Sequence, residues 1–184
     1  FCDLVTHLIK NQFDKTNIST ELKNIAYINH NSFFSQSSEV ERIMDLNVIP
    51  LPYTSGLLDS FFDDSLQPIV QTVRGCPFLC TFCTEGKGYW TKVRTLSQDR
   101  VSEELNYIAK KITSNGSKSR CDLFIADSNF GMYPSDVETA KKIRRVQDKY
   151  NFPEYISVST GKNKKERILE VAKIVKGAIR LAGS

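Results

Sequence analysis

The sequence predicts an α/β fold built on a parallel sheet, preceded by a short α+β lead-in and a linker. Three observations predict it. From Gln67 onward, strand-like apolar runs alternate with stretches of helical period. Those helical stretches carry capping residues at their ends. The chain of 184 residues is 40% hydrophobic and 25% charged, the balance of a globular protein able to bury a core without disulfides.

In chain order, the lead-in opens with Cys2 to Phe13, where Leu4, Leu8 and Ile9 have helical spacing. Asn24 to Phe34 reads as a short hairpin turning at Asn29-His30-Asn31. Residues 49–66 form the linker: Pro50 and Pro52 push their predecessors into extended backbone, so Val48 to Tyr53 is not helical. A short amphipathic segment, Gly56 to Phe62, follows. Pro68 to Val73 is the first strand. Ser97 to Ile112 is a helix with Val101, Leu105, Ile108, Ala109 and Ile112 on one face, closed by Asn115-Gly116. Cys121 to Ala126 is the second strand. Ser135 and Glu138 have the spacing of a capping box for a helix turning Val137, Ala140, Ile143 and Val146 inward. Tyr155 to Ser159 is the third strand. Asn163 and Glu166 open a helix carrying Ile168, Leu169, Ala172 and Val175, Gly177 ends it, and Ala178 to Ala182 begins a fourth strand. Strand–helix units in series imply parallel pairing through crossovers, with chemistry gathered at the carboxyl ends of the strands.

Bulk properties narrow the function. A formal net charge of +4 is too small to argue for nucleic acid or an anionic membrane. No run of about eighteen apolar residues exists to span a bilayer. Phe1-Cys2-Asp3 has neither an initiator methionine nor a signal-peptide pattern, and Arg180 to Ser184 stops inside an apolar run, so the expectation is an internal fragment of a longer protein. Of five cysteines, Cys76, Cys80 and Cys83 crowd together while Cys2 and Cys121 stand alone. An odd count with one tight cluster suits a metal site in a reduced, cytoplasmic compartment.

The decisive stretch is Arg74-Gly75-Cys76-Pro77-Phe78-Leu79-Cys80-Thr81-Phe82-Cys83-Thr84-Glu85-Gly86. Thiolates are soft ligands for iron–sulfur clusters and zinc. Three sulfurs on one loop can each reach a different iron of a cubane, leaving the fourth iron to a non-protein ligand. Zinc is the competitor, but structural zinc takes four ligands, usually as two pairs, and no second pair exists here. His7 and His30 lie far upstream, and a site completed by Cys121 needs an awkward geometry, because that residue starts the second strand.

With an aromatic residue, Phe82, just before the third cysteine, the loop resembles the signature of the radical S-adenosylmethionine superfamily. Ile49 through Gly86, Asp127-Ser128-Asn129-Phe130 and Ser157 to Lys165 resemble its cobalamin-binding-domain-containing members. The resemblance implies that residues 67–184 are the amino-terminal part of a truncated, partial (β/α) barrel. Residues 1–48 would be the tail of an upstream cobalamin-binding domain and its connector. It implies a [4Fe–4S] cluster on Cys76, Cys80 and Cys83 whose open iron chelates S-adenosylmethionine, with reductive cleavage to a 5′-deoxyadenosyl radical. It further implies cobalamin in the full-length protein, a flavodoxin- or ferredoxin-like reductant and a small-molecule or biosynthetic substrate. Phe82 would pack beside the adenine. Where the family offers a Gly-Gly-Glu-like stretch for the methionine amino group, this chain has Asp127 and Asn129 as substitutes. Ser159, Thr160 and Lys162 fall where ribose or carboxylate contacts are expected. The cobalamin signature Asp-x-His-x-x-Gly is absent, since Asp3 and His7 have a different spacing.

Two other readings stay open: a non-catalytic metal-binding module (zinc or electron transfer), and an RNA methylthiotransferase-like enzyme. A simple electron carrier uses four protein ligands. The cations at 141, 142, 144, 145, 162, 164 and 165 are the pattern of solvated helix faces rather than of a nucleic-acid patch. Gly86-Lys87-Gly88 lacks the spacing of a phosphate loop. Tyr89 and Trp90 suit either a substrate mouth or core packing. Cys2 and Cys121 are expected as small buried hydrophobes, and His7 and His30 as surface or interface residues.

Overall fold

A computed structural model gives the structure and describes residues 1–15, 18–39, 41–114, 121–161, 163–177 and 179–183. The chain divides into two compact units, Phe1–Ile43 and Met44–Ser184.

In the first unit, helix α1 (Cys2–Lys10) is followed by the short α2 (Ile18–Glu21) and by an antiparallel pair, β1 (Ala26–Ile28) and β2 (Phe34–Gln36). The expected helix and hairpin are both present. α1 stops short of Phe13 because Gln12 and Phe13 take positive φ, 54° and 62°. In the hairpin turn, the Asn29 side chain accepts the N–H groups of Asn31 and Phe33, both at 3.0 Å. Two expectations are corrected here. His7 is buried rather than superficial, its Nδ1 lying 3.1 Å from the Glu21 carboxylate, and Cys2 is exposed rather than buried. His30 is exposed and meets Asp14 at 2.9 Å.

The second unit begins with single-turn 3-10 helices at Leu46–Val48 and Asp59–Phe61; between them Ile49 is extended, but residues 52–58 turn on themselves, the Ser55 N–H donating to Leu51 O at 3.2 Å and the Gly56 N–H to Tyr53 O at 2.9 Å. The strand expected over Pro68 to Val73 is divided. β3 (Ile69–Val70) pairs in parallel with β6 (Asp122–Phe130), whereas β4 (Val73–Arg74) turns away to pair antiparallel with β5 (Arg94–Thr95). The cause is a side chain: the Asp127 carboxylate captures the N–H groups of Thr72 and Val73, which a continuous ladder would otherwise use. α3 (Gln98–Ser114) buries the five predicted apolar residues, and the Asn115-Gly116 cap lies outside the described residues. Cys121 is half-buried just ahead of β6. β6 runs beyond Ala126, its pairing with β7 (Tyr155–Thr160) shifting register between Ile125 and Phe130.

α4 (Pro134–Tyr150) starts two residues earlier than the Ser135/Glu138 box requires. Asp136 caps it instead, accepting the N–H of Tyr133 at 2.9 Å and of Gly131 at 2.8 Å. Ser135 Oγ is buried without a partner, and Glu138 pairs with Lys141. α5 (Lys165–Ile174) is capped by Lys164 rather than Asn163 and turns Val171 inward. Leu169, expected on that face, is 59% exposed. β8 (Ile179–Gly183) completes a parallel sheet in the order β3-β6-β7-β8. Among the described residues the sheet is open at β3 and β8 and does not close into a barrel.

The core lies between this sheet and the helices, α3 packing on α4 and α4 on α5. Along β6 and β7, Leu123, Ile125, Ile156 and Val158 alternate inward and meet Ile108 and Ile143, all at most 1% exposed. Each such side chain contributes roughly 1.5–3 kcal/mol relative to exposure. No described helix is long and apolar enough to cross a membrane.

Candidate functional site

The cysteine loop is the connection of the β4–β5 hairpin, so both its stems are fixed by strand pairing. Gly75, at φ +104°, turns the chain where a Cβ would lie 2.7 Å from Lys92 O and 2.9 Å from Trp90 O. The Cys76 N–H then donates to Trp90 O at 2.9 Å. Further on, the loop folds on itself: Cys83 N–H donates to Cys80 O at 3.1 Å and Gly86 N–H to Cys83 O at 3.0 Å. A Cβ on Gly86 would stand 2.0 Å from Cys80 O, so only glycine closes this turn. Cys76 is buried, Cys80 half-buried and Cys83 exposed, and all three are free thiols.

The loop meets the carboxyl end of β6 through successive residues. Ser128 Oγ donates to Glu85 at 2.9 Å, and the Asn129 amide donates to the Cys76 sulfur at 3.2 Å. Asp127 points the other way and is 2% exposed. One carboxylate oxygen accepts the N–H of Thr72 at 2.7 Å and of Val73 at 3.0 Å, and the other the Thr72 hydroxyl at 2.5 Å. Burial pushes its pKa up, and the Thr72 and Val73 bonds counter part of that rise. Expected to face a cofactor, Asp127 instead fixes the strand junction from which the loop springs.

Ser159 and Thr160 end β7 half-buried, with Thr160 opposite Phe130, so they share one end of the sheet with Asn129. Lys162 lies outside the described residues. Phe82 is 81% exposed. Tyr133, just beyond β6, has a buried hydroxyl without a partner. Its pKa is pushed to about 12, first by burial and then by the negative charges of Cys76, Asp136, Asp127 and Glu85. Burial likewise raises Asp136 to about 6.

Sequence reasoning missed Glu85 and Ser128 as a pair. Both stand inside the stretches that drew attention, but they are 43 residues apart and nothing local links them. Cys121 cannot join the loop cysteines. β6 rises roughly 3.3 Å per residue, which puts Cys121 on the order of 25 Å from Asn129, the residue bonded to Cys76. Among the described residues no group of three or more His, Cys, Asp or Glu side chains is arranged to hold a metal ion. The donor set nevertheless fits a thiolate-ligated cluster: three cysteines outside any disulfide on one loop, one of them buried and already hydrogen-bonded.

No family model matches the chain. It is 30% identical over 141 residues to the 2-(S-pantetheinyl)-carbapenam-3-carboxylate methyltransferase of Streptantibioticus cattleyicolor, covering 73% of this chain and 20% of that protein. It is 27% identical over 152 residues to the cobalamin-dependent radical SAM methyltransferase TokK of Streptomyces tokunonensis, covering 79% and 21%. The chain thus spans about a fifth of the length of these curated relatives. Among solved structures it is similar to the cobalamin-dependent S-adenosylmethionine radical enzyme OxsB with aqua-cobalamin and S-adenosylmethionine bound. That match has a TM-score of 0.59 at 18% identity and covers 98% of this chain and 26% of that one. It is also similar to the radical S-adenosylmethionine methyltransferase TsrM of Kitasatospora setae with tryptophan and aza-SAM bound, with a TM-score of 0.58 at 14% identity, covering 98% and 35%.

Proposed function

Proceeding from the chain's kinship with the cobalamin-dependent radical S-adenosylmethionine methyltransferases, we propose that residues 67–184 are the amino-terminal part of a radical S-adenosylmethionine core, a partial (β/α) barrel. Residues 1–48 are the tail of a cobalamin-binding-like domain, and the parent enzyme transfers a methyl group to a small biosynthetic substrate. The observation that carries this reading is the cysteine loop itself: three free thiols on a hairpin connection held against the carboxyl end of β6 by Ser128 and Asn129.

Cys76, Cys80 and Cys83 would hold a [4Fe–4S] cluster. When bound, the cluster and S-adenosylmethionine would together supply radical chemistry by one-electron cleavage of a sulfonium, the electron coming from a flavodoxin- or ferredoxin-like partner. The chain's own residues bind and orient. Gly75 and Gly86 permit the two tight approaches that shape the loop. Asp127 anchors its stem through Thr72 and Val73. Phe82, largely in solvent, offers a face for an adenine ring. Glu85, steadied by Ser128, supplies the carboxylate that a methionyl ammonium needs where the Gly-Gly-Glu-like stretch is lacking. Ser159 and Thr160, with Lys162 beyond them, are assigned to the ribose and carboxylate.

The reading is tested by reducing anaerobically reconstituted protein and adding S-adenosylmethionine. The spin-resonance spectrum of the reduced cluster is expected to change when S-adenosylmethionine is added. A spectrum indifferent to saturating S-adenosylmethionine would identify an electron-transfer module instead.

A further inference from the structure

We infer that Asn129 is a positioning residue that sets the reduction potential at the cysteine loop, through the N–H···S hydrogen bond from its side-chain amide to Cys76. This rests on the cluster reading above and concerns a property that the reading leaves open.

Three observations carry it. Cys76 is the one buried thiol of the three, 9% exposed, so bulk water does little to solvate charge on its sulfur and protein donors count for most there. The donor is in place: Asn129 Nδ2 lies 3.2 Å from the sulfur. The backbone that carries the amide is fixed as well: the Asn129 main-chain carbonyl accepts the Met132 N–H at 3.1 Å, and a Cβ at Gly161 would stand 3.4 Å from Asn129 Cβ.

Its electrical effect follows from what surrounds it. Glu85 meets Ser128 beside the loop, and the Tyr133 phenol feels the negative charges of Cys76, Asp136, Asp127 and Glu85. Adding an electron to a thiolate-ligated cluster adds negative charge, which neighbouring carboxylates disfavour. A neutral N–H aimed at a ligand sulfur favours the reduced state and raises the potential.

The test is a redox titration of the reconstituted chain followed by spin resonance. Asn129→Leu is expected to keep its iron and sulfide and to titrate at a more negative potential. Asn129→Asp, which replaces the donor by an acceptor, shifts further the same way, and Asn129→Gln shifts least. Equal potentials in the parent, Asn129→Leu and Asn129→Asp overturn the inference while leaving the cluster reading intact; a parent chain that takes up no iron overturns the cluster reading instead. A measurement on the unsubstituted chain guards against variants that fail to fold. With 15N-labelled asparagine, the reduced cluster should show a weak nitrogen hyperfine coupling, and its absence also overturns the inference.

Discussion

At Gly86 a single added methyl group would lie 2.0 Å from the Cys80 carbonyl, far inside van der Waals contact. Gly86→Ala should therefore force the loop open while the remote sheet and helices persist. We expect iron uptake on reconstitution to fall by at least half with the far-ultraviolet circular dichroism unchanged. Asp127→Ala removes the acceptor of two backbone N–H groups and one hydroxyl in a buried setting, and should cost about 3 kcal/mol in denaturant unfolding. Glu104 gives a pH-dependent signal. It is 7% exposed on α3 beside a cavity of about 360 Å³, and burial pushes its pKa to about 7, the Arg100 charge countering and Glu103 adding. A folded pKa above the unfolded value means the folded state holds the proton longer. This group's contribution is fully present below about pH 4.5 and is lost as pH rises towards 7. Glu104→Gln should flatten that slope and, allowing for partial solvent contact, be more stable than the parent at pH 8 by on the order of 2 kcal/mol. Residues such as the loop cysteines were legible in the sequence because their spacing is local. Glu85 with Ser128, and Asp127 with Thr72, were not, because folding alone brings them together.

Among the elements, those with a long apolar period were legible almost to the residue: α3 buries all five positions that its spacing indicates. Short or polar-edged elements were less so. The apolar run Pro68 to Val73 looks like one strand, yet a remote carboxylate divides it into a parallel and an antiparallel piece. Ser135 and Glu138 satisfy the capping pattern, but Pro134 is suited to a first helical position and Asp136 reaches back to Tyr133, so the helix begins earlier. In α5 the weak period left the inward face ambiguous, and Val171 rather than Leu169 took it. β6 is the element on which both halves of the account depend, since it carries the core inward and the loop contacts at its end. Ile125→Ala, at 0% exposure, should destabilise by about 2–5 kcal/mol in chemical denaturation. A loss below about 1 kcal/mol would contradict the packing described here.

For the whole molecule, the α/β class and the parallel pairing followed from the alternation of patterns beyond Gln67. Closure did not: among the described residues the sheet stands open at β3 and β8, and strand count is not written in local period. The chain spans about a fifth of its curated relatives, so a single sheet end with its loop is what it brings to the proposed chemistry. The central claim is that this loop grips an iron–sulfur cubane with three sulfurs. Iron and acid-labile sulfide per chain, measured after anaerobic reconstitution and desalting, test it most directly. Close to four of each are expected in the parent, with a large loss of both in Cys80→Ala. Tightly held zinc with neither iron nor sulfide in the parent would contradict it.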